Sequence, residues 1–216
     1  MAANDYHFVT TWRVEGTCGE VADVIAAPLD LPRWWPAVYL DVEELEPPDE
    51  WGLGRRVRLT TKGWLPYTLT WELVVTESKY PQALGIHALG DFVGRGQWTF
   101  EQDGPFVIVN FDWRVAAKKP LLRRMSAALR PVFEANHRWA MAQGEESLKL
   151  ELARRRAVNL QAARAIPPPP GPITYAGVAV LGGAAFLGAG ALWLAKRAVN
   201  VWRASPGPVK NHRGRA

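Results

Sequence analysis

The sequence is poor in the residues that usually announce chemistry. It has one cysteine, Cys18, in 216 residues. A lone cysteine excludes an intrachain disulfide and a thiolate metal cluster, and its plainest role is that of a small apolar side chain. The four histidines are scattered: His7 and His212 lie near the chain ends, His87 in a strand-like run and His137 in a helical one. No H-x-x-x-H or Cys/His grouping exists, so no metal site is expected. Gly90, Gly94 and Gly96 are close together, but no helix follows them, which removes a phosphate-loop reading. No cofactor is expected. Met1 to Thr10 has neither a basic stretch nor an apolar core, so no export signal is expected and the first domain is placed in the cytoplasm.

Acid is missing from one part of the chain only. Residues 1–166 carry 20 Lys+Arg and 21 Asp+Glu, whereas residues 167–216 carry six Lys+Arg and no acid. The net charge of +5 therefore belongs to the tail, and the main part is nearly neutral. A nucleic-acid-binding domain would carry its basic face on the fold itself, so that class is excluded.

What is abundant is tryptophan, eleven in all. Rings of that size need large apolar surfaces, and a cavity wall is one. Alternation supplies such a wall. Tyr6–Glu15 places Phe8, Thr10, Trp12 and Val14 on one face, opposite His7, Val9, Thr11 and Arg13. Thr17–Ala27 reads as a short helix, and Leu31–Val38 (LPRWWPAV) as at best a second short helix and a turn. Six strands follow: Tyr39–Leu45, Gly54–Lys62, Tyr67–Glu77, Leu84–Leu89, Gln97–Gln102 and Phe106–Val115. Gly63, Pro81, Gly94 and Asp103-Gly104 read as the turns between them. One-sided strands imply an antiparallel sheet with one face covered. The cover is a long helix whose stripe is Leu121, Leu122, Met125, Leu129, Val132, Phe133, Asn136 and Ala140, with a kink expected at Pro131. The strongly charged stretch from Glu145 to about Ala165 continues the helix and is expected to protrude.

After the PPPPGP spacer at 167–172, residues 173–195 carry no charge. At ~1.5 Å per residue they reach about 34 Å, enough for a ~30 Å hydrocarbon core. Eight Leu, Ile, Val and Phe side chains supply on the order of −2 to −5 kcal/mol for insertion. A single transmembrane helix is the reading, followed by a basic, disordered tail at 196–216. Ala179/Gly183 and Ala184/Gly188 offer small-residue pairs for self-association in the membrane. The basic tail pulls toward the cytoplasm, as the domain does, but one crossing cannot satisfy both, and the domain takes priority.

The order strand, two short helices, six strands, long helix resembles the SRPBCC superfamily, to which START, Bet v 1-like and polyketide cyclase/dehydrase proteins belong. LPRWWPAV, GWLPYTLTWE (63–72), GDFVGRGQWTF (90–100) and NHRWAMAQGEESL (136–148) carry the resemblance, which covers about residues 5–150. It implies an α+β helix-grip fold, a curved antiparallel sheet wrapped around a long C-terminal helix, and a ligand-binding domain over residues 1–166. It brings no set of catalytic residues, because one fold serves several tasks.

The expected site is a cavity between sheet and helix lined by Trp12, Tyr67, Leu69, Trp71, Trp98, Phe100, Phe111, Trp113, Met125 and Phe133. Polar contacts are sought at Arg95, Asn136 and His137. For His137 a helix-surface or capping position is preferred over the cavity rim, and for Asp91 with Arg95 a structural turn pair. Asp112 and Arg114 read as a solvated ion pair. The leading function is membrane-tethered binding or transfer of a hydrophobic small molecule, lipid or polyketide-like. The alternatives are a cyclase/aromatase-like enzyme and a stress-response or interaction protein with a vestigial cavity.

Overall fold

The computed structural model describes residues 5–118 and 120–174, with side chains of the long helix described from residue 130 onward. β1 (Asp5–Glu15) is followed by α1 (Cys18–Ile25), a 3-10 turn at Pro28–Asp30 and α2 (Leu31–Trp34). Six strands come next: β2 (Tyr39–Glu46), β3 (Arg56–Lys62), β4 (Thr68–Lys79), β5 (Ala83–Gly90), β6 (Phe92–Asp103) and β7 (Phe106–Ala117). α3 (Pro120–Arg156) and α4 (Leu160–Ala165) complete the described elements.

All pairings are antiparallel, in the order β1-β7-β6-β5-β4-β3-β2. The first strand thus joins the last, and the two edges are β1 and β2. The alternation read from the sequence sets which face is covered: Trp12, Val57, Leu59, Leu69, Trp71, Trp98, Phe111 and Trp113 are all buried. α1 begins at a capping box, in which the Thr17 side chain accepts from the Glu20 N–H and the Glu20 carboxylate accepts from the Thr17 N–H. That arrangement satisfies two N–H groups that the helix leaves unpaired.

Two expectations are corrected. β6 does not begin after a turn at Gly94. It starts at Phe92 and runs through Gly94 and Gly96. The glycines serve close approach, since a Cβ on Gly94 would lie 2.0 Å from the Arg114 carbonyl oxygen, and one on Gly96 2.8 Å from the Phe111 and Trp113 rings. α3 continues on both sides of Pro131.

Second, α3 does not protrude after Glu145. Leu148, Glu151 and Leu152 are at most 2% exposed. Glu151 accepts two hydrogen bonds from Arg33 of α2, at 2.8 and 2.9 Å, and one from Arg155 at 2.8 Å. Burial alone would raise the Glu151 carboxyl, but the Arg33 and Arg155 bonds and charges outweigh it and hold it below its ordinary value. The charges that suggested protrusion pin the helix instead. α3 ends at Arg156, whose guanidinium binds Glu20 at 2.7 Å and the Glu15 carbonyl at 3.1 Å.

No helix among the described residues is long and apolar enough to cross a membrane. Residues 175–195 of the expected span, the small-residue pairs within it, the basic tail and the Met125 side chain lie outside the described residues.

Candidate functional site

Between the concave face of the sheet and α3 lies a cavity of about 180 Å³. Its walls come from every layer of the fold. β1 supplies Tyr6 and Phe8. The α2 region supplies Leu31, Trp34, Trp35 and Tyr39. The middle strands supply Thr61, Tyr67, Leu69, Trp71, Phe92, Trp98, Phe111 and Trp113, and α3 supplies Phe133, Asn136, His137, Ala140 and Met141.

The strand walls form one continuous aromatic surface. Trp98 stacks on Phe111 with centroids 4.0 Å apart, Phe111 on Trp113 at 5.5 Å, and Trp71 leans on Trp113 at 5.7 Å. Gly96 leaves room for this stack. A second ladder runs opposite: Tyr6 stacks on Phe8 at 5.7 Å, Phe8 on His137 at 4.1 Å, and Phe133 meets Tyr6 edge-on at 5.9 Å. The ladder forms because Tyr6 and Phe8 share a strand face, while Phe133 and His137 are one helical turn apart.

Polar groups in the wall fall into two kinds. Some are satisfied. The Trp71 indole N–H donates to the Thr61 hydroxyl at 3.1 Å, which donates to the Leu69 carbonyl at 3.4 Å. Asn136 accepts from the Trp64 N–H at 2.9 Å, and Gly63 is required there because a Cβ would lie 2.1 Å from the Asn136 oxygen. Others are buried without a partner: the Tyr6 hydroxyl, the Trp34 and Trp35 indole N–H groups and His137 Nε2. Away from the cavity wall, Trp12 Nε1, Arg55 Nε, Arg130 Nε and Ser147 Oγ are in the same state.

His137 is not on the helix surface, the position its sequence context favours. Burial, and to a lesser degree the nearby Arg138 charge, lower its pKa to about 4. The imidazole is therefore neutral at pH 7. Burial likewise pushes the Tyr39 phenol well above its ordinary value.

Of the residues expected from the sequence, Tyr67, Leu69, Trp71, Trp98, Phe111, Trp113, Phe133, Asn136 and His137 meet at the cavity. Trp12 and Phe100 are buried but do not line it. Trp12 packs behind the wall, against Trp35 at 5.7 Å and Trp98 at 5.3 Å, which do line the cavity. Arg95 is exposed on the outer face, level with His87 and Arg114, and is not part of the cavity. Asp91 accepts from the Thr70 N–H at 3.0 Å. Asp112 pairs with Arg114 at 2.8 Å and with His7 at 3.1 Å, in the open. Residues that the sequence alone does not assign to the site are Tyr6, Phe8, Trp34, Trp35, Tyr39 and Met141. The first two are visible as the covered face of β1, but the α2 tract carries no periodicity to orient its rings. No group of three His, Cys, Asp or Glu among the described residues could hold a metal ion.

A seven-stranded sheet curved around one long helix, with short helices between its first two strands and an apolar hollow between, defines a helix-grip protein. No family model and no curated protein matches the chain. Solved structures do match. The Zhui aromatase/cyclase of Streptomyces sp. R1128 superposes with a TM-score of 0.58 at 18% identity, over 73% of this chain and 98% of that one. TTHA0849 of Thermus thermophilus gives 0.53 at 17% identity, over 68% and 94%. A START superfamily protein of Mycobacterium smegmatis gives 0.51 at 17%, over 66% and 98%. The chain has the fold these aromatase/cyclase and START proteins share, consistent with the SRPBCC resemblance of its sequence.

Proposed function

We propose that this protein binds a hydrophobic small molecule, lipid or polyketide-like, in the cavity between sheet and α3, and that residues 173–195 tether it to a membrane with the domain on the cytoplasmic side. The observation that carries the reading is a cavity of about 180 Å³ between sheet and helix whose walls are aromatic. A ligand with an apolar, flat body would stack on Trp98, Phe111 and Trp113.

Size refines this. A cavity of ~150 Å³ admits a benzene ring, whereas drug-sized ligands occupy ~300–1,000 Å³. At about 180 Å³ the resting cavity fits one ring, so a larger ligand enters by displacing wall side chains. Burying ~200 Å² of ligand surface supplies about 5 kcal/mol before ordering costs, and stacking adds to it.

A second reading is turnover in the same cavity, motivated by the fold shared with the Zhui aromatase/cyclase. His137 is the one imidazole in the wall, and a base with a pKa of about 4 is a weak proton acceptor at neutral pH. That favours binding over catalysis.

An apolar fluorophore titrated into the full chain should quench tryptophan with saturable, one-site behaviour. Trp71→Ala and Trp113→Ala should each weaken uptake about tenfold, because each removes a large part of the wall. Unchanged affinity in both variants, with cooperative unfolding intact, contradicts the assignment.

A further inference from the structure

The register of the sheet defines two ends of the domain. Lys62 pairs with Thr68, Trp71 with Gly90, Phe92 with Ala117 and Ala116 with Asp5, so these positions share one end. One connection there is apolar, and apolar side chains flank Asp91 in a second. The link from β3 to β4 reads Gly63-Trp64-Leu65-Pro66-Tyr67, with Pro66 exposed. The turn from β5 to β6 is flanked by Leu89 and Val93, 42% and 38% exposed. Lys62 and Tyr67, both half-buried, belong also to the cavity wall. At the other end Trp51 and Tyr80 are exposed, Trp51 beside Asp49 and Glu50.

The exit of the chain is a separate observation. Arg154, near the far end of α3, donates to the Pro167 carbonyl. Lys62 donates to the Ile173 carbonyl at 2.9 Å. From Pro167 to Pro172 run four prolines, a glycine and a fifth proline, with Pro169 and Pro170 half-buried. An extended proline-rich segment rises ~3.1 Å per residue, so the strap covers about 20 Å. It carries the chain from one end of the domain to the other. The folded unit is therefore left at the apolar end, beside a residue of the cavity wall.

We infer that this end is the face the domain lays on a lipid surface, so that an apolar ligand passes between bilayer and cavity without crossing water. The inference rests on the reading of the cavity as a ligand site. Trp and Tyr are the residues favoured at membrane–water boundaries, and Trp64 and Tyr67 bracket the loop that would lie there. Leu65 and Pro66 are the part of the loop that dips in. The strap acts as a spacer of fixed length, which keeps this end down.

The test uses the full chain with Cys18→Ser, reconstituted in phosphatidylcholine vesicles containing some phosphatidylglycerol. A cysteine is placed at Pro66 or at Glu50 and labelled with an environment-sensitive fluorophore. Acyl-chain-brominated lipid should quench the label at 66 several-fold more than that at 50, and Leu65→Glu should reduce the quenching at 66. Equal quenching at the two sites, or stronger quenching at 50, overturns the inference. Uptake of an apolar probe is read on the same vesicles. Uptake without preferential quenching at 66 removes the lipid-facing end and leaves ligand binding standing. Preferential quenching without uptake keeps the lipid-facing end and removes the cavity ligand.

Discussion

His137 is held in its neutral form by the wall it belongs to. Its ordinary pKa of 6.5 falls to about 4 on folding. Above pH 6.5 neither state carries the proton, and the group adds no pH dependence. As pH falls from 6.5 toward 4 the unfolded chain takes up the proton and the folded one does not, so stability drops. The full loss is on the order of 3 kcal/mol. Glu20 acts lower down: its hydrogen bonds to Arg156 and to the Thr17 N–H outweigh burial and hold its carboxyl near 2, so its contribution disappears as pH falls from 4.5 toward 2. Urea denaturation across this range should show both windows. His137→Phe keeps a ring against Phe8 and should flatten the upper window while leaving the lower. A slope between 6.5 and 4 that survives the substitution would show that another group causes it.

Among the elements, α3 decides the shape of the hollow. Gly144 lets it approach the α2 region, because a Cβ there would lie 2.3 Å from the Trp35 ring. In an ordinary helix, glycine to alanine stabilises by ~0.5–1 kcal/mol. Here the sign should invert. Gly144→Ala should destabilise by about 1–3 kcal/mol, because the Trp35 ring must shift against its packed neighbours Trp12, Trp34 and Tyr39. A gain in thermal midpoint would mean that the helix and Trp35 are not packed as described. The strands are legible in the sequence because alternation repeats at period two along each of them, and even β1 shows its covered face. β6 reads short because Gly94 and Gly96 look like a turn when only the chain is seen. Their reason lies across the sheet, in the Arg114 carbonyl and the Phe111 and Trp113 rings. The second half of α3 misleads for a related cause. Charge density suggests a solvated helix, while the spacing of Met141, Gly144, Leu148 and Leu152 already continues the buried stripe. The partner that makes Glu151 tolerable inside is Arg33, more than a hundred residues earlier, and no local pattern reveals it.

At the scale of the whole molecule the fold is divided into a filled half and a hollow half. Trp12, Val14, Phe100, Val107 and Val109 fill the half that also holds α1 and the later turns of α3. Tyr6, Phe8, Tyr67, Trp71, Phe92 and His137 enclose the hollow one. In the sequence all inward aromatics read as one wall, because periodicity tells which face a residue takes but not how far along the sheet the helix lifts away. The proposed ligand would sit among these aromatic rings, in a space of about 180 Å³. Native mass spectrometry tests this most directly. The full chain, extracted in mild detergent from the cells that make it, should carry one equivalent of a small organic mass that solvent extraction removes. Trp71→Ala with Trp113→Ala should carry none, while remaining folded. A chain that is free of any adduct before extraction, or a double variant that holds the same mass, would contradict the account.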